Sequence, residues 1–231
     1  MTKKRIVVLT GAGISAESGI STFRDSGGLW EKYDISEVAT YEAWLNNMEL
    51  VIDFYNQRRK QLFEAEPNPG HYALVKLEEK YDVKIITQNV DDLHERAGSK
   101  NVMHLHGELK KVRSTVDEDL VYELDGWELK VGDKCDKGSQ LRPHIVWFGE
   151  PVPLIYDAAR IASSADVIII IGTSLNVYPA AGLVGYAKQD AQIYVIDPGQ
   201  LSVAHIPNVK FICDKGSVGV PRLVDKLLKQ A

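Results

Sequence analysis

The chain has 231 residues, 45% of them hydrophobic and 26% charged, with a formal net charge of -5 and two cysteines, Cys135 and Cys213. This is the composition of a globular protein with a sizeable core; it excludes a disulfide-built scaffold, a bilayer span of ~20 apolar residues, and a basic surface made for nucleic acid. Two isolated thiols fit a reducing cytosol, and Met1-Thr2-Lys3-Lys4-Arg5 leads into too short an apolar run for a secretion signal, so the expected location is cytoplasmic and the default state a monomer.

Ile6-Val7-Val8-Leu9 predicts a buried strand. It runs straight into Gly11-Ala12-Gly13-Ile14-Ser15-Ala16-Glu17, a Gly-x-Gly-x-x-Ala turn. There Gly11 permits the turn, Gly13 a close approach to a pyrophosphate, and Ala16 the packing of a following helix whose free N–H groups face phosphate. Glycine turns after strands are common, so this motif alone leaves cofactor binding open. The ribose-binding acid expected ~20 residues later in such folds does not arrive. Instead Phe23-Arg24-Asp25-Ser26-Gly27-Gly28-Leu29-Trp30 reads as a loop covering the turn, with Arg24 either a phosphate-binding cation or a solvated charge.

Residues 35–66 carry apolar positions at helical spacing (Trp44, Met48, Val51, Tyr55), ended by Pro67-Asn68-Pro69-Gly70 as a module boundary. A helix over 71–81 and a strand over 83–87 follow. That strand opens into Gln88-Asn89-Val90-Asp91-Asp92-Leu93-His94, and a shorter one over 102–105 runs into His106-Gly107. Residues 112–141 turn polar, an excursion from the main sheet, and Arg142 to Glu150 return to the core. A helix over 153–163, a strand over 167–171 emptying into Gly172-Thr173-Ser174, a helix over 179–188, strands over 192–197 and 209–212, and a helix over 220–229 complete the chain. The alternation predicts an α/β protein with a doubly wound, mainly parallel, Rossmann-like sheet. Residues 1–34, 70–111 and 142–231 would form it, with a smaller domain inserted as 35–69 and 112–141.

Three small or polar segments thus sit at carboxyl ends of parallel strands, where such sheets bind ligands. His106 is placed to project into that cleft as a base, or to be a hydrogen-bonded structural histidine. His104 lies two residues earlier, on the same face if the strand continues. That pairing supports a rival, a metal-dependent hydrolase using His104, His106 and Asp91 or Asp92.

Gly11-Ala12-Gly13-Ile14-Ser15 through Phe23-Arg24, Thr87-Gln88-Asn89-Val90-Asp91, His104-Leu105-His106-Gly107, Val146-Trp147-Phe148-Gly149-Glu150 and Gly172-Thr173-Ser174, in that order over nearly the whole chain, resemble the motif set of the sirtuins. The resemblance implies an NAD-dependent protein lysine deacylase that releases nicotinamide, O-acyl-ADP-ribose and free lysine. It implies that Gly11, Ala12, Gly13, Ser15, Glu17, Phe23 and Arg24 belong to the cofactor loop, and that Gln88 bonds the nicotinamide ribose. Asn89 and Asp91 would line the nicotinamide pocket. His106 would take a proton from the ribose, so that its hydroxyl attacks the imidate formed when the acyl oxygen displaces nicotinamide. Gly172, Thr173 and Ser174 would meet phosphate and ribose, and Asp197 the adenosine ribose. Val146, Trp147, Phe148 and Gly149, with Leu175, Asn176 and Val177, would pair with the substrate backbone. A nucleotide sensor without turnover, or ADP-ribosyl transfer to protein, are the remaining alternatives.

Tyr55 and Arg58 share a helix face and resemble the Tyr-x-x-Arg pair of the sirtuin branch that removes succinyl and malonyl groups; the rival reading packs Tyr55 and leaves Arg58, beside Arg59 and Lys60, solvated. Sirtuins commonly carry a structural zinc on two cysteine pairs. Here those places read Arg113-Ser114-Thr115-Val116-Asp117 and Cys135-Asp136-Lys137-Gly138, and one thiolate does not make a four-thiolate site. The resemblance therefore implies no catalytic metal, and the structural zinc is expected to be absent.

Overall fold

A computed structural model describes residues 3–20, 32–175, 177–199, 201 and 206–230. Among them nine strands form two sheets: β1 Arg5–Thr10, β2 Asp82–Thr87, β3 Val102–His104, β4 Gly107–Ser114, β5 Val121–Glu123, β6 Leu141–Ile145, β7 Val167–Ile171, β8 Gln192–Ile196 and β9 Val209–Ile212. Six run parallel in the order β3-β2-β1-β7-β8-β9, with Ile6 level with both Val83 and Val167. Seven α-helices are described: α1 Ile35–Val38, α2 Tyr41–Asn46, α3 Met48–Glu64, α4 Pro69–Leu77, α5 Leu93–Ala97, α6 Ile155–Ser163 and α7 Gly216–Leu228. None is long and apolar enough to cross a membrane.

The parallel sheet is apolar on both faces because successive side chains point to opposite sides. Ile6, Val8, Ile85, Ile169 and Ile171 pack with Leu74 and Leu77 of α4 and Val224 and Leu227 of α7. Val7, Leu9, Ile86, Ile168 and Ile170 pack on the other side with Ala158 of α6 and Leu183. The fully buried aliphatics stabilise the sheet by about 1.5–3 kcal/mol each, and helices on both faces make the winding double.

Several expected elements change form. The helical stretch over 35–66 is three helices, because Asp34, Thr40 and Asn47 each accept a backbone N–H at a helix start and restart the ladder. The helix expected after the glycine turn is two short 3₁₀ turns, Ala12–Ile14 and Ala16–Ser18, stopped by Gly19 in the left-handed region. The segment over 179–188 is likewise 3₁₀, at Ala180–Tyr186. The helix over 71–81 starts at Pro69, with Asn68 as its cap, and the last helix starts at Gly216 and carries Pro221 within it.

The polar excursion lies in an antiparallel sheet of order β5-β4-β6, whose middle strand runs from Gly107 to Ser114. Its inner face, with Leu109, Val112 and Ile145, joins Trp44, Phe54, Tyr55 and Trp147 in a second core under α1–α3. Arg59 is fully buried there. Its Nε donates to Leu109 O at 2.7 Å and its Nη1 to Asn56 Oδ1 at 2.6 Å, clamping α3 to β4. Burial lowers its pKa to about 10, still charged at neutral pH.

Candidate active site

From β1 the chain builds the sheet outward on both sides, so the carboxyl ends of β1 and β7 flank the reversal of strand order where α/β sheets open a crevice. Gly11 N donates to Ile171 O at 3.0 Å and Gly13 N to Gly172 O at 2.9 Å. A side chain on Gly172, at φ +61°, would come 2.5 Å from Gly13 C, so two bare backbones are required for this closeness. Gln88 Nε2 donates to Thr173 Oγ1 at 3.2 Å, and Asn89 Nδ2 to Ser15 Oγ at 3.1 Å. The three predicted segments are thus tied together, with Ala12 and Ser174 half-buried beside them. Asp197, buried at the end of β8, accepts Gly199 N–H at 2.8 Å. Glu17 accepts from Ser217 N at 3.1 Å, which seats the turn on the start of α7. Phe23, Arg24 and Asn176 lie outside the described residues.

His106 stands in the turn between β3 and β4 rather than on a strand, so strand alternation does not pair it with His104. Gly107 makes that turn at φ +84°, where a Cβ would meet His144 O at 2.0 Å. His106 Nδ1 is 3.1 Å from Gln88 O. A carbonyl only accepts, so the proton sits on Nδ1 and the Nε2 lone pair is left as a base. Burial outweighs that bond and lowers the pKa, keeping the ring neutral at neutral pH. His104 differs: Nδ1 lies 3.1 Å from Asn89 O and Nε2 2.8 Å from Glu95 Oε1. Both partners are acceptors, so both nitrogens donate. Burial opposes the charge, but Glu95 with Glu108 and Asn89 O raises the pKa. No lone pair remains for a metal, and among the described residues no three His, Cys, Asp or Glu side chains group to hold one. The metal-hydrolase reading fails on that geometry. Asp92 is turned to Lys110, at 3.1 Å.

The wall comes from the second core. Val146 N donates to His106 O at 3.0 Å, placing the segment after β6 beside the imidazole. Trp147 is buried and its Nε1 donates to Tyr55 Oη at 3.0 Å. The Arg58 guanidinium lies 5.6 Å from the centre of the Tyr55 ring. Burial lowers the Arg58 pKa, opposed by Tyr55 and by the Asp91 carboxylate. Asp91 is itself buried, which raises its pKa against the Leu93 N–H, the Ser15 hydroxyl and His104. These bonds tie His106 to Gln88 and Val146, Asn89 to Ser15, and Trp147 to Tyr55 beside Arg58.

The segment expected to pair with a substrate backbone has commitments of its own. Trp147 N donates to Glu150 Oε2 at 2.8 Å and Phe148 N to Ala39 O at 3.0 Å. Phe148 and Val177 are exposed, Gly149 is at φ +87°, and Leu175 takes a positive φ of 56°. Behind Trp147 the Arg142 guanidinium stacks 3.5 Å from its ring and forms a two-pronged bond to Glu150, at 2.7 and 3.0 Å.

The turns where the family's cysteine pairs would stand are joined by other bonds. Cys135 Sγ donates to Ser114 Oγ at 3.2 Å, Lys137 Nζ lies 2.7 Å from Asp117, and Thr115 Oγ1 donates to Gln140 O at 2.9 Å. Sequence reasoning missed Asn68, His71 and His94, which lie buried under the crevice. The signals were Asn68 between two prolines, which reads equally as a plain boundary, and His94 at the end of the polar segment after β2.

Comparison with known proteins agrees with the motifs. Residues 11–179 match the Sir2 family model. An NAD-dependent protein deacylase of Helicobacter pylori (strain ATCC 700392 / 26695) is 56% identical over 231 residues, 99% of each chain. One of Bacteroides thetaiotaomicron is 53% identical, covering 97% of this chain and 98% of its own. A solved Sir2 homologue in complex with NAD superposes with a TM-score of 0.89 at 43% identity, covering 99% of this chain and 91% of that one. The chain belongs to the Sir2 family.

Proposed function

We propose that this NAD-dependent protein deacylase frees lysine side chains on proteins and favours acidic acyl groups, succinyl and malonyl, over acetyl. The single observation that carries the catalytic reading is His106, whose Nδ1–H faces Gln88 O and leaves Nε2 as the base at the crevice. A dinucleotide fits the donor set: amides at Gln88 and Asn89, hydroxyls at Ser15 and Thr173, and a buried carboxylate at Asp197 suited to a ribose diol. When bound, NAD supplies the glycosidic carbon that accepts the acyl oxygen as nicotinamide leaves. His106 Nε2 takes the ribose hydroxyl proton; Asn89 and Asp91 line the nicotinamide side; Gln88 orients the ribose. An intact base and amide favour turnover over a nucleotide sensor. Residues 1–34, 70–111 and 142–231 form the cofactor domain in this reading, and 35–69 with 112–141 the small domain.

The acyl preference rests on Tyr55 and Arg58. A guanidinium fork matches a carboxylate, and a phenol that accepts from Trp147 keeps its own O–H to donate. The structural zinc is absent in this reading, because one thiol, hydroxyls and a lysine-paired carboxylate do not supply a tetrahedral thiolate set.

The test is deacylation of acetyl-, succinyl- and malonyl-lysine peptides with NAD. His106→Ala is expected to lose at least about a hundredfold on all three. Arg58→Met is expected to cost succinyl and malonyl peptides about ten- to a hundredfold, the worth of a charge-assisted pair, while sparing acetyl. An Arg58→Met enzyme that treats all three alike would sink the acyl assignment, and an active His106→Ala the catalytic one.

A further inference from the structure

Below the crevice two neutral histidines lie against each other, and the mechanism above uses neither. His71 and His94 are fully buried, with ring centroids 5.0 Å apart and planes at 63°. Each makes one bond through one nitrogen. His71 Nδ1 takes the Asn68 backbone N–H at 3.2 Å, and His94 Nε2 meets Thr10 Oγ1 at 3.0 Å. Each has one buried nitrogen with no partner, His71 Nε2 and His94 Nδ1. A buried polar atom left alone is costly, so the bonds the two rings do make carry their orientation.

Donor and acceptor roles follow from the ends of the chain of contacts. A backbone N–H only donates, so His71 Nδ1 is the acceptor and the His71 proton sits on Nε2. Thr10 Oγ1 donates its one proton to Thr87 Oγ1 at 2.8 Å, so it receives from His94 Nε2–H. The His94 lone pair is then on Nδ1. The leftover atoms are one donor and one acceptor. Thr87 Oγ1 also accepts the backbone N–H of Asn89 at 3.0 Å, and the Asn89 side chain reaches Ser15. At the other end, Asn68 Nδ2 donates to Ile14 O at 2.7 Å and to Ser18 Oγ at 3.0 Å.

We propose that His94 is a positioning residue. Through Thr10 and Thr87 it fixes the backbone of Asn89 against the glycine turn that Asn68 grips from the other side. This buried tether donates in one direction, from His94 through Thr10 to Thr87. This rests on the reading of Asn89 and Ser15 as parts of the NAD site.

The test has a spectroscopic arm and a kinetic arm. Nitrogen shifts of ¹⁵N-labelled imidazoles in the full chain are expected to show both rings as neutral Nε2–H tautomers between about pH 6 and 8. His94→Leu is expected to raise KM for NAD at least about tenfold with the peptide KM within about twofold, whereas His94→Gln, whose amide donates from the Nε2 position, recovers most of the loss. Thr10→Val removes only the next bond and carries the same expectation if His94→Leu does not fold. An Nδ1–H tautomer on His94 overturns the proposal, as does a folded His94→Leu with unchanged KM for NAD, or a Gln variant no better than Leu. A wild type inactive with NAD and every acyl peptide strikes the functional reading instead, and the tautomers still decide the tether.

Discussion

The floor and the wall of the crevice solve the same problem with opposite materials. The floor, where β1, β2 and β7 end, is covered on both faces and is built from neutral groups: Thr10, Thr87, His71 and His94, all fully buried. The wall, where the antiparallel sheet meets α3, uses charge: Arg142 with Glu150, Arg113 at 3.6 Å from Glu150, and Arg59 on carbonyls. Burial decides the difference. Between two layers of helices an ion finds no water and must be neutral or paired, whereas Glu150 keeps 17% of its side chain exposed and meets two guanidinium groups. Precision in the floor comes from bonds that have a direction, and in the wall from pairs that have a sign.

At neutral pH the largest expected loss of stability comes from breaking the wall's ion pair. Glu150→Gln leaves the Arg142 guanidinium buried without its counter-charge and loosens the Trp147 N–H that Glu150 accepts. The expected loss is about 2 kcal/mol in urea unfolding, below the ~3–5 of a fully buried pair because Glu150 is partly solvated. A loss near zero would mean that the stacking of Arg142 on Trp147, not the ion pair, holds the wall.

Acid separates the two regions by the pH at which each fails. Burial lowers the His71 pKa to about 4 and the His94 pKa well below the usual imidazole value. Below about pH 6.5 the unfolded chain takes up protons that the folded floor refuses, so stability falls as pH drops from there toward 4. His71 alone accounts for about 3 kcal/mol of that fall at most. Glu150 acts lower. Its burial is outweighed by Arg142, the Trp147 N–H and Arg113, so its pKa lies below 4.5 and its contribution is lost only as pH falls beneath that value. Urea midpoints across pH should show His71→Asn flattening the upper limb and Glu150→Gln only the lower. A Glu150→Gln protein that flattened the upper limb would break the distinction.

These two regions were not equally legible in the sequence. β1, β2 and β7 announce themselves as β-branched runs ending in Gly11, Gln88 and Gly172, and the parallel order follows from alternation with helices. His106 was legible from its motif but not its setting: the chain leaves β3 at His104, and a turn forced by Gly107 aims the ring. The contact between His71 and His94 was invisible, because no local pattern says that residues 23 apart in sequence will have touching rings. Arg59 looked like one charge in a basic run, since helical periodicity does not tell a buried arginine from its solvated neighbour. The antiparallel module was missed as a sheet because β5 is three residues long and its alternation is weak.

The smallest expected effect tests whether the far end of the wall module is held without metal. Ser114 Oγ, nearly fully buried, accepts from Cys135 Sγ, Val116 N at 3.1 Å and Asp117 N at 3.2 Å, gathering the turn after β4 and the turn before β6 on one oxygen. Ser114→Ala removes that acceptor but leaves both backbone N–H groups near the surface, where water replaces it, so the expected cost is about 1 kcal/mol. Deacylation by the variant should stay near wild type, because none of the site's hydrogen bonds passes through these turns. Elemental analysis should find no stoichiometric zinc, and EDTA should shift neither melting temperature nor activity in wild type or variant. A structural zinc contributes folding energy directly, and its loss to a chelator would unfold the module. A chelator-sensitive melt would therefore show a tightly held metal there after all, and would place this module beside the floor as a region that depends on strict geometry.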